Sequence, residues 1–245
     1  MVYITGDTHG QFQRIELFCH VMQTTKADTM IVLGDAGFNY YGGSRDAKLK
    51  KKANTYPIRL FCIHGNHEIR PQNISSYKEA VFCGGRVLYE PEYPDILFAI
   101  DGEIYDLDGF RCIAIGGAYS VDKFYRLEKG YGWWPDEQPS PEIKAAVERK
   151  LEALDHKVDI VLSHTCPRKY EPVETFLSFI DQSTVDKTTE DWLDEIEAST
   201  DYRKWYCGHY HTRKRIDRMQ FMFEDYDVLS VRQKNEYSKV NAGSV

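Results

Sequence analysis

Asp7 and His9 stand one residue apart, just past a short and mostly apolar run, Val2-Tyr3-Ile4-Thr5. Aromatic and β-branched residues suit a covered, pleated surface, so the run reads as a buried strand that Gly6 breaks. Residues two apart in an extended segment point the same way, which lets this carboxylate and this imidazole face one point in space. A hard oxygen and a borderline nitrogen converging on one point suit a divalent cation.

The device recurs along the chain. Gly34-Asp35 follows the apolar residues 30–33, and His64-Gly65-Asn66-His67-Glu68 follows residues 58–63. Ser163-His164 follows residues 158–162, and Gly208-His209-Tyr210-His211 follows residues 204–207. Of the eight histidines, only His20, His64 and His156 stand outside this set. His20 and His156 read as surface residues, and His64 as a packing residue or a donor behind a ligand. Any one of these strand ends has an ordinary explanation, since aspartate after glycine forms turns and a lone histidine is often structural. Together they require the same accident at every strand end, and a metal site is the simpler reading.

The elements that must position these groups alternate. Residues 11–23 form a helix with Ile15, Phe18, Cys19 and Met22 on one apolar face. Residues 44–55 form a polar helix whose lysines, Lys48 and Lys50 to Lys52, read as a solvated face. Strand, helix, strand, helix, strand argues a parallel βαβαβ start, with ligands gathering past the carboxyl ends of the strands. Residues 96–115 are short runs split by Asp101-Gly102 and Asp108-Gly109, which predicts an antiparallel meander, a candidate start for a second sheet. Residues 116–138 lack a period and read as a long surface loop or lid. Ser140-Pro141 opens a helix with Ile143, Val147, Leu151 and Leu154 as its buried stripe. Residues 188–198 form an acidic helix anchored by Trp192, Leu193 and Ile196. Short strands at 213–216, 220–223 and 227–230 close the sheet, and residues 232–245 form a polar tail expected to fray. The expectation is one α/β domain over residues 1–245.

Composition bounds the function. The 245 residues are 42% hydrophobic, enough for a sizeable core, and the formal net charge is −7. An acidic chain is poorly suited to gripping long nucleic acid, so no stable nucleic-acid complex is expected. No apolar run is long enough to cross a bilayer. The six cysteines show no C-x-x-C pairing and read as reduced, buried thiols. With no basic leader followed by a long apolar stretch, the expected compartment is the cytoplasm.

Gly6-Asp7-Thr8-His9-Gly10, Gly34-Asp35, Gly65-Asn66-His67-Glu68, Ser163-His164 and Gly208-His209-Tyr210-His211, in that order, resemble the five signatures of the calcineurin-like metallophosphoesterase family. The resemblance spans the chain to about residue 216. It implies a four-layer α/β/β/α sandwich of two mixed sheets, with a dinuclear metal site at the carboxyl ends of the strands. It implies that Asp7, His9, Asp35 and His211 bind one ion, and that Asp35, Asn66, His164 and His209 bind the other, with Asp35 bridging. Manganese is the first choice for both ions, and iron, zinc and nickel also suit such ligands. Two cations roughly 3.5–4 Å apart activate a shared water and clamp a phosphate for in-line attack. His67 would touch the phosphate and protonate the leaving oxygen.

The resemblance also has a departure. Members similar to Ser/Thr protein phosphatases carry Gly-Asp-x-x-Asp-Arg-Gly in the second signature, whereas this chain reads Gly34-Asp35-Ala36-Gly37-Phe38-Asn39-Tyr40. They have arginine where His64 stands, and their last signature lacks His-x-His. The expected activity is therefore hydrolysis of phosphate mono- or diesters of small or nucleotide-like substrates. A protein phosphatase and a catalytically silent scaffold of the same fold are the alternatives. Arg126, Lys123 and Tyr119 are candidate substrate contacts, since arginine offers a planar fork to phosphate. Trp133 and Trp134 read as a plug of the loop onto the body, and Arg213, Lys214, Arg215 and Arg218 as either a basic rim or an ordinary charged hairpin. Oligomeric state is left open.

Overall fold

Period-two alternation along the strands decides how the layers stack. In the computed structural model, which describes residues 1–231, the chain begins β1 (Val2–Thr5), α1 (Gln13–Met22), β2 (Thr29–Val32), α2 (Gly43–Ala53) and β3 (Arg59–Cys62). It continues through β4 (Lys78–Phe82), β5 (Gly85–Tyr89), β6 (Ile96–Ala99), β7 (Ile104–Leu107) and β8 (Phe110–Ile115). Then come α3 (Lys123–Lys129), α4 (Pro141–Glu152), β9 (Ile160–Ser163), α5 (Thr188–Ser199) and β10 (Lys204–Cys207). Three short strands, β11 (Lys214–Ile216), β12 (Met219–Phe221) and β13 (Tyr226–Val228), complete the described chain. The tail expected at 232–245 lies outside the described residues.

The first sheet runs β13-β1-β2-β3-β6-β5-β4 and the second β11-β12-β10-β9-β8-β7. In each, a parallel centre is flanked by antiparallel edges: β1, β2, β3 and β6 in the first, and β12, β10, β9 and β8 in the second. One face of the first sheet (Tyr3, Met30, Val32) packs on α1 through Ile15 and Cys19. Its other face (Ile4, Ile31, Leu33, Phe61) meets Tyr105, Cys112, Ile160, Leu162 and Tyr206 of the second sheet. The far face of that sheet (Ile113, Val161, Trp205) packs on Val147 and Leu151 of α4 and on Trp192, Leu193 and Ile196 of α5. The result is the expected α/β/β/α sandwich of two mixed sheets. Five strands buried on both faces explain the near-continuous apolar runs that end in polar residues.

Several elements differ from expectation. Residues 96–115 are not one meander. β6 pairs parallel with β3 in the first sheet, and only β7 and β8 form a hairpin. Asp108 and Gly109 both have positive φ, as that tight turn requires. Asp101 is instead a buried crosslink, accepting from Gly116 N–H at 2.6 Å and from Arg70 at 2.7 Å, where the chain passes from one sheet to the other. The β4–β5 hairpin was not legible, because residues 78–82 lack alternation. Lys50 is not on a solvated face; it is buried and paired with Glu90 across the α2 surface. Met22 leaves the apolar stripe of α1 because the helix ends there in a left-handed Gln23, which turns the chain away. Residues 116–138 contain α3, with Ala118, Tyr119, Ser120 and Arg126 buried and much of the rest exposed.

Candidate metal centre

The carboxyl ends of β1, β2, β3, β9 and β10 all open at one edge where the two sheets meet, and they bring the candidate residues together. Asp7, His9 and His211 offer ligand atoms that lie within 4.8 Å of one another, as do His9, Asp35 and His67, and likewise Asp7, Asp35 and His164. His164 Nε2 lies 2.7 Å and His209 Nδ1 3.1 Å from Asn66 Oδ1. Every candidate ligand from the sequence is thus in one cluster. The backbone bends to achieve this: His9, Asp35, His209 and His211 all have positive φ. For residues with a Cβ that conformation is strained, and such strain gathers at functional sites.

Two glycines make room. Gly34 has φ +94°, and a Cβ there would sit 2.0 Å from His164 Nδ1. A Cβ on Gly208 would sit 2.2 Å from Asp7 Oδ1. The side chains of His164 and Asp7 therefore lie directly on bare backbone, which explains why glycine precedes the polar residues at these strand ends.

The hydrogen bonds test whether a cation fits. His164 Nδ1 is 2.8 Å from the Leu33 carbonyl oxygen, which can only accept, so Nδ1 carries the ring proton. Nε2 then presents a lone pair to Asn66 Oδ1. Asn66 lies with Nδ2 donating to Ser120 Oγ at 2.8 Å and Oδ1 toward the two rings. Two acceptors face each other at 2.7 Å in a buried place. A cation coordinated by both removes that repulsion, and a ring N–H given to a backbone carbonyl is the usual way a metal-binding histidine is held. Asp7 Oδ2 is buried and without a hydrogen-bond partner among the described residues, while Oδ1 accepts from the His209 backbone N–H at 3.0 Å. His9 Nε2 and His211 Nε2 face each other at 2.9 Å. The donor set is carboxylate, amide and imidazole, which fits divalent cations of the first transition row.

Electrostatics agree with that fit. Burial opposes ionisation of Asp35, but the neighbouring His67, through its ring and its backbone N–H, leads the contacts that overcome it and hold the carboxyl well below the usual carboxylate range. Burial likewise opposes ionisation of Asp7, and the His211 ring, with Nε2 at 3.3 Å from Oδ2, and His164 outweigh it, so its pKa is also lowered. Burial pulls the His209 pKa down to about 3 and lowers that of His9, so both rings are neutral with a lone pair to give. His64 is buried among these residues, is held neutral by burial and by Arg70, and has no hydrogen-bond partner among the described residues.

The expected substrate contacts are arranged differently from one another. Tyr119 lines a cavity of about 300 Å³ beside the cluster. Its floor is Asp35, Asn66, His67, His209 and His211, and its wall is Phe176, Leu177, Ile180 and Val185. Lys123 places its ammonium 4.3 Å from the centroid of the Trp133 ring. Arg126 is buried and turned onto His67, with Nη2 at 2.9 Å from Nδ1. Trp134 packs edge-on against Tyr40, as a plug does. The basic residues past His211 have local partners: Lys214 pairs with Glu174, and Arg218 lies over the Tyr202 ring at 4.0 Å and reaches Glu197. Ser120, Asp122 and the cavity wall were missed, because nothing in an aperiodic segment marks which residues fold back onto the site.

These strand-end clusters on two packed sheets define a metallophosphoesterase fold. The chain matches the family model of calcineurin-like phosphoesterases over residues 1–225 and belongs to that family. The family depends on a dinuclear metal centre, and the Asp and His groups here are placed for metal binding. Among solved structures it is similar to TT1561 of Thermus thermophilus, at 12% identity over 94% of this chain and 98% of that one, with a TM-score of 0.48. It is also similar to the phosphopantetheinyl hydrolase PptH of Mycobacterium tuberculosis, at 14% identity over 91% of this chain and 87% of that one, with a TM-score of 0.48. No curated protein matches the chain in sequence. Among the described residues, no helix is long and apolar enough to cross a membrane.

Proposed function

We propose that this protein hydrolyses phosphate mono- or diesters of small or nucleotide-like substrates at a dinuclear metal centre. The observation that carries the reading is the convergence of Asp7, His9 and His211, of His9, Asp35 and His67, and of Asp7, Asp35 and His164, each group with ligand atoms within 4.8 Å of one another. Asp7, His9, Asp35 and His211 would hold one ion, and Asp35, Asn66, His164 and His209 the other. Two divalent cations supply Lewis acidity, lowering the pKa of water and neutralising charge on phosphoryl oxygens.

The chain's own residues do the rest. Asp35 must be a carboxylate because it serves both ligand sets. Asn66 and the neutral imidazoles bind without adding negative charge, which favours an anionic substrate. His67 holds a proton for the leaving oxygen, and gives it up as the P–O bond to that oxygen breaks. Burial opposes protonation of His67, but Asp35 and Asp122 raise its pKa, which favours the protonated ring this role needs. Tyr119, Phe176, Leu177 and Ile180 form an apolar wall suited to the organic part of the ester. Manganese is the first choice of ion, with iron, zinc and nickel also suited. Six unpaired cysteines fit a cytoplasmic setting.

A panel of chromogenic mono- and diesters, run with Mn²⁺, Fe²⁺, Zn²⁺ and Ni²⁺, tests the reading. The expected result is turnover by the wild type that falls at least about 100-fold in D35N and H164A, as loss of ligands to the charge-stabilising ions requires. No turnover of any ester with any of these ions overturns it.

A further inference from the structure

Glu190 stands in the first turn of α5 and lines the cavity beside the metal cluster. It is 3% exposed, and Thr165 Oγ1 donates to its Oε1 at 2.7 Å. Oε2 has no hydrogen-bond partner among the described residues. A buried carboxylate is costly unless something is paired with it. The other charged groups of the lining outside the cluster are already matched. Asp186 accepts from Gln138 Nε2 at 3.0 Å and from the Thr188 backbone N–H at 2.9 Å. Asp122 accepts from Arg126 Nε at 2.8 Å, and its other oxygen faces the His67 ring at 3.6 Å. Lys187, the one lysine or arginine of the lining among the described residues, donates to Glu171 at 2.6 Å. Glu190 is therefore the carboxylate of this wall with an acceptor still to fill, and none of these groups fills it.

We propose that Glu190 is a specificity-determining residue: its Oε2 accepts from an amino group on the alcohol part of the ester, which makes the substrates phosphate esters of small amino-bearing alcohols. The proposal rests on the reading of the cluster as a phosphoesterase centre. In this arrangement the phosphate lies over the cluster, and the hydrocarbon part of the alcohol lies along Phe176, Leu177, Ile180 and Val185. An amino group suits this wall better than a carbonyl or a carboxylate does, because the wall is acidic. Asp122, Asp186 and Glu190 stand against Lys187, whose charge Glu171 offsets. The rings of Tyr119 and Tyr210, in the same lining, also attract an ammonium group. A volume of about 300 Å³ is at the lower end for small-molecule sites, which keeps the alcohol small.

Paired probes on the Mn²⁺-loaded protein test this. A series of ω-aminoalkyl phosphonates of increasing chain length is compared by calorimetry with alkyl phosphonates that carry a methyl group in place of the ammonium. A phosphonate has no ester bond to cleave, so affinity is read without turnover. The wild type is expected to bind the best amino member about 10–100-fold tighter than its methyl partner, as a hydrogen bond to a charged group allows. In E190Q, which keeps the shape of the side chain, that ratio is expected to shrink toward one, and in E190L to vanish. A role for Glu190 confined to the fold lowers both affinities together and leaves their ratio unchanged. Equal affinity for both members in the wild type, no binding of either, or an unchanged ratio in both variants overturns the proposal. Turnover of the matching phosphate esters is measured separately. Preferential binding with no turnover overturns the hydrolytic reading alone, and turnover without the preference overturns the proposal alone.

Discussion

Ser120 Oγ accepts from Asn66 Nδ2 at 2.8 Å, on the side of the amide away from His164 and His209. Ser120 is fully buried, and its backbone N–H donates to Glu137 Oε1 at 3.1 Å, so the bond is tied into the segment before α4. S120A removes the hydrogen bond that holds the Nδ2 end of the amide. Outer hydrogen bonds of this kind are worth about 10–100-fold in metal affinity. S120A is expected to weaken binding of one ion by that amount, measured by chelator competition, while the other ion binds as in wild type. Unchanged affinity for both ions contradicts the role given to Ser120.

Gly34 tests the close approach of His164 to the backbone. A Cβ at this position meets His164 Nδ1 at 2.0 Å and is also strained by the φ of +94°. G34A must either push the imidazole off the Leu33 carbonyl or open the strand ends. Backbone strain alone costs about 1–3 kcal/mol. The expected outcome is a lower melting temperature together with loss of metal binding. A variant that melts lower and still binds both ions as wild type does shows that His164 tolerates displacement.

Glu190 gives a pH dependence at a residue outside the proposed ligand set, though it lines the same cavity. It lies in the first turn of α5, where Thr165 Oγ1 donates to Oε1 at 2.7 Å and Oε2 is unpartnered among the described residues. Burial pushes its carboxyl up to about 7 from an ordinary 4.5. The folded protein then keeps a proton that the unfolded chain releases, so stability falls as pH rises through that window. E190Q keeps the neutral shape at every pH. It is expected to flatten the melting profile between about pH 5 and 8, and to exceed the wild type at pH 8 by on the order of 2–3 kcal/mol. Parallel profiles for the two proteins contradict this.

The candidate site was legible because parallel strands buried on both faces force polar groups to their ends, and five ends repeated one device in Asp7, Asp35, Asn66, His164 and His209. Fold class followed from the same runs, since strands and helices alternate with short connections up to residue 63. What was not legible is what long-range contact decides. Lys50 looks solvated in a row of lysines, and only Glu90, 40 residues away, explains its burial. Asp101-Gly102 and Asp108-Gly109 look alike, and only the second is a hairpin, because Asp101 is claimed by Arg70 and Gly116. Arg126 was singled out for phosphate by its type, whereas its neighbours His67, Tyr40 and Asp122 belong to three segments of the chain that no spacing rule connects.

The central claim is that Asp35 joins two ions in one cage, and metal content tests it most directly. Protein stripped of metal, loaded with Mn²⁺ and desalted is expected to retain about two ions per chain, the number a two-metal phosphoesterase site requires. D35N, which removes the shared carboxylate, is expected to retain at most about one. Wild-type protein that retains no manganese, iron, zinc or nickel, or a D35N variant that holds as many ions as the wild type, contradicts the account.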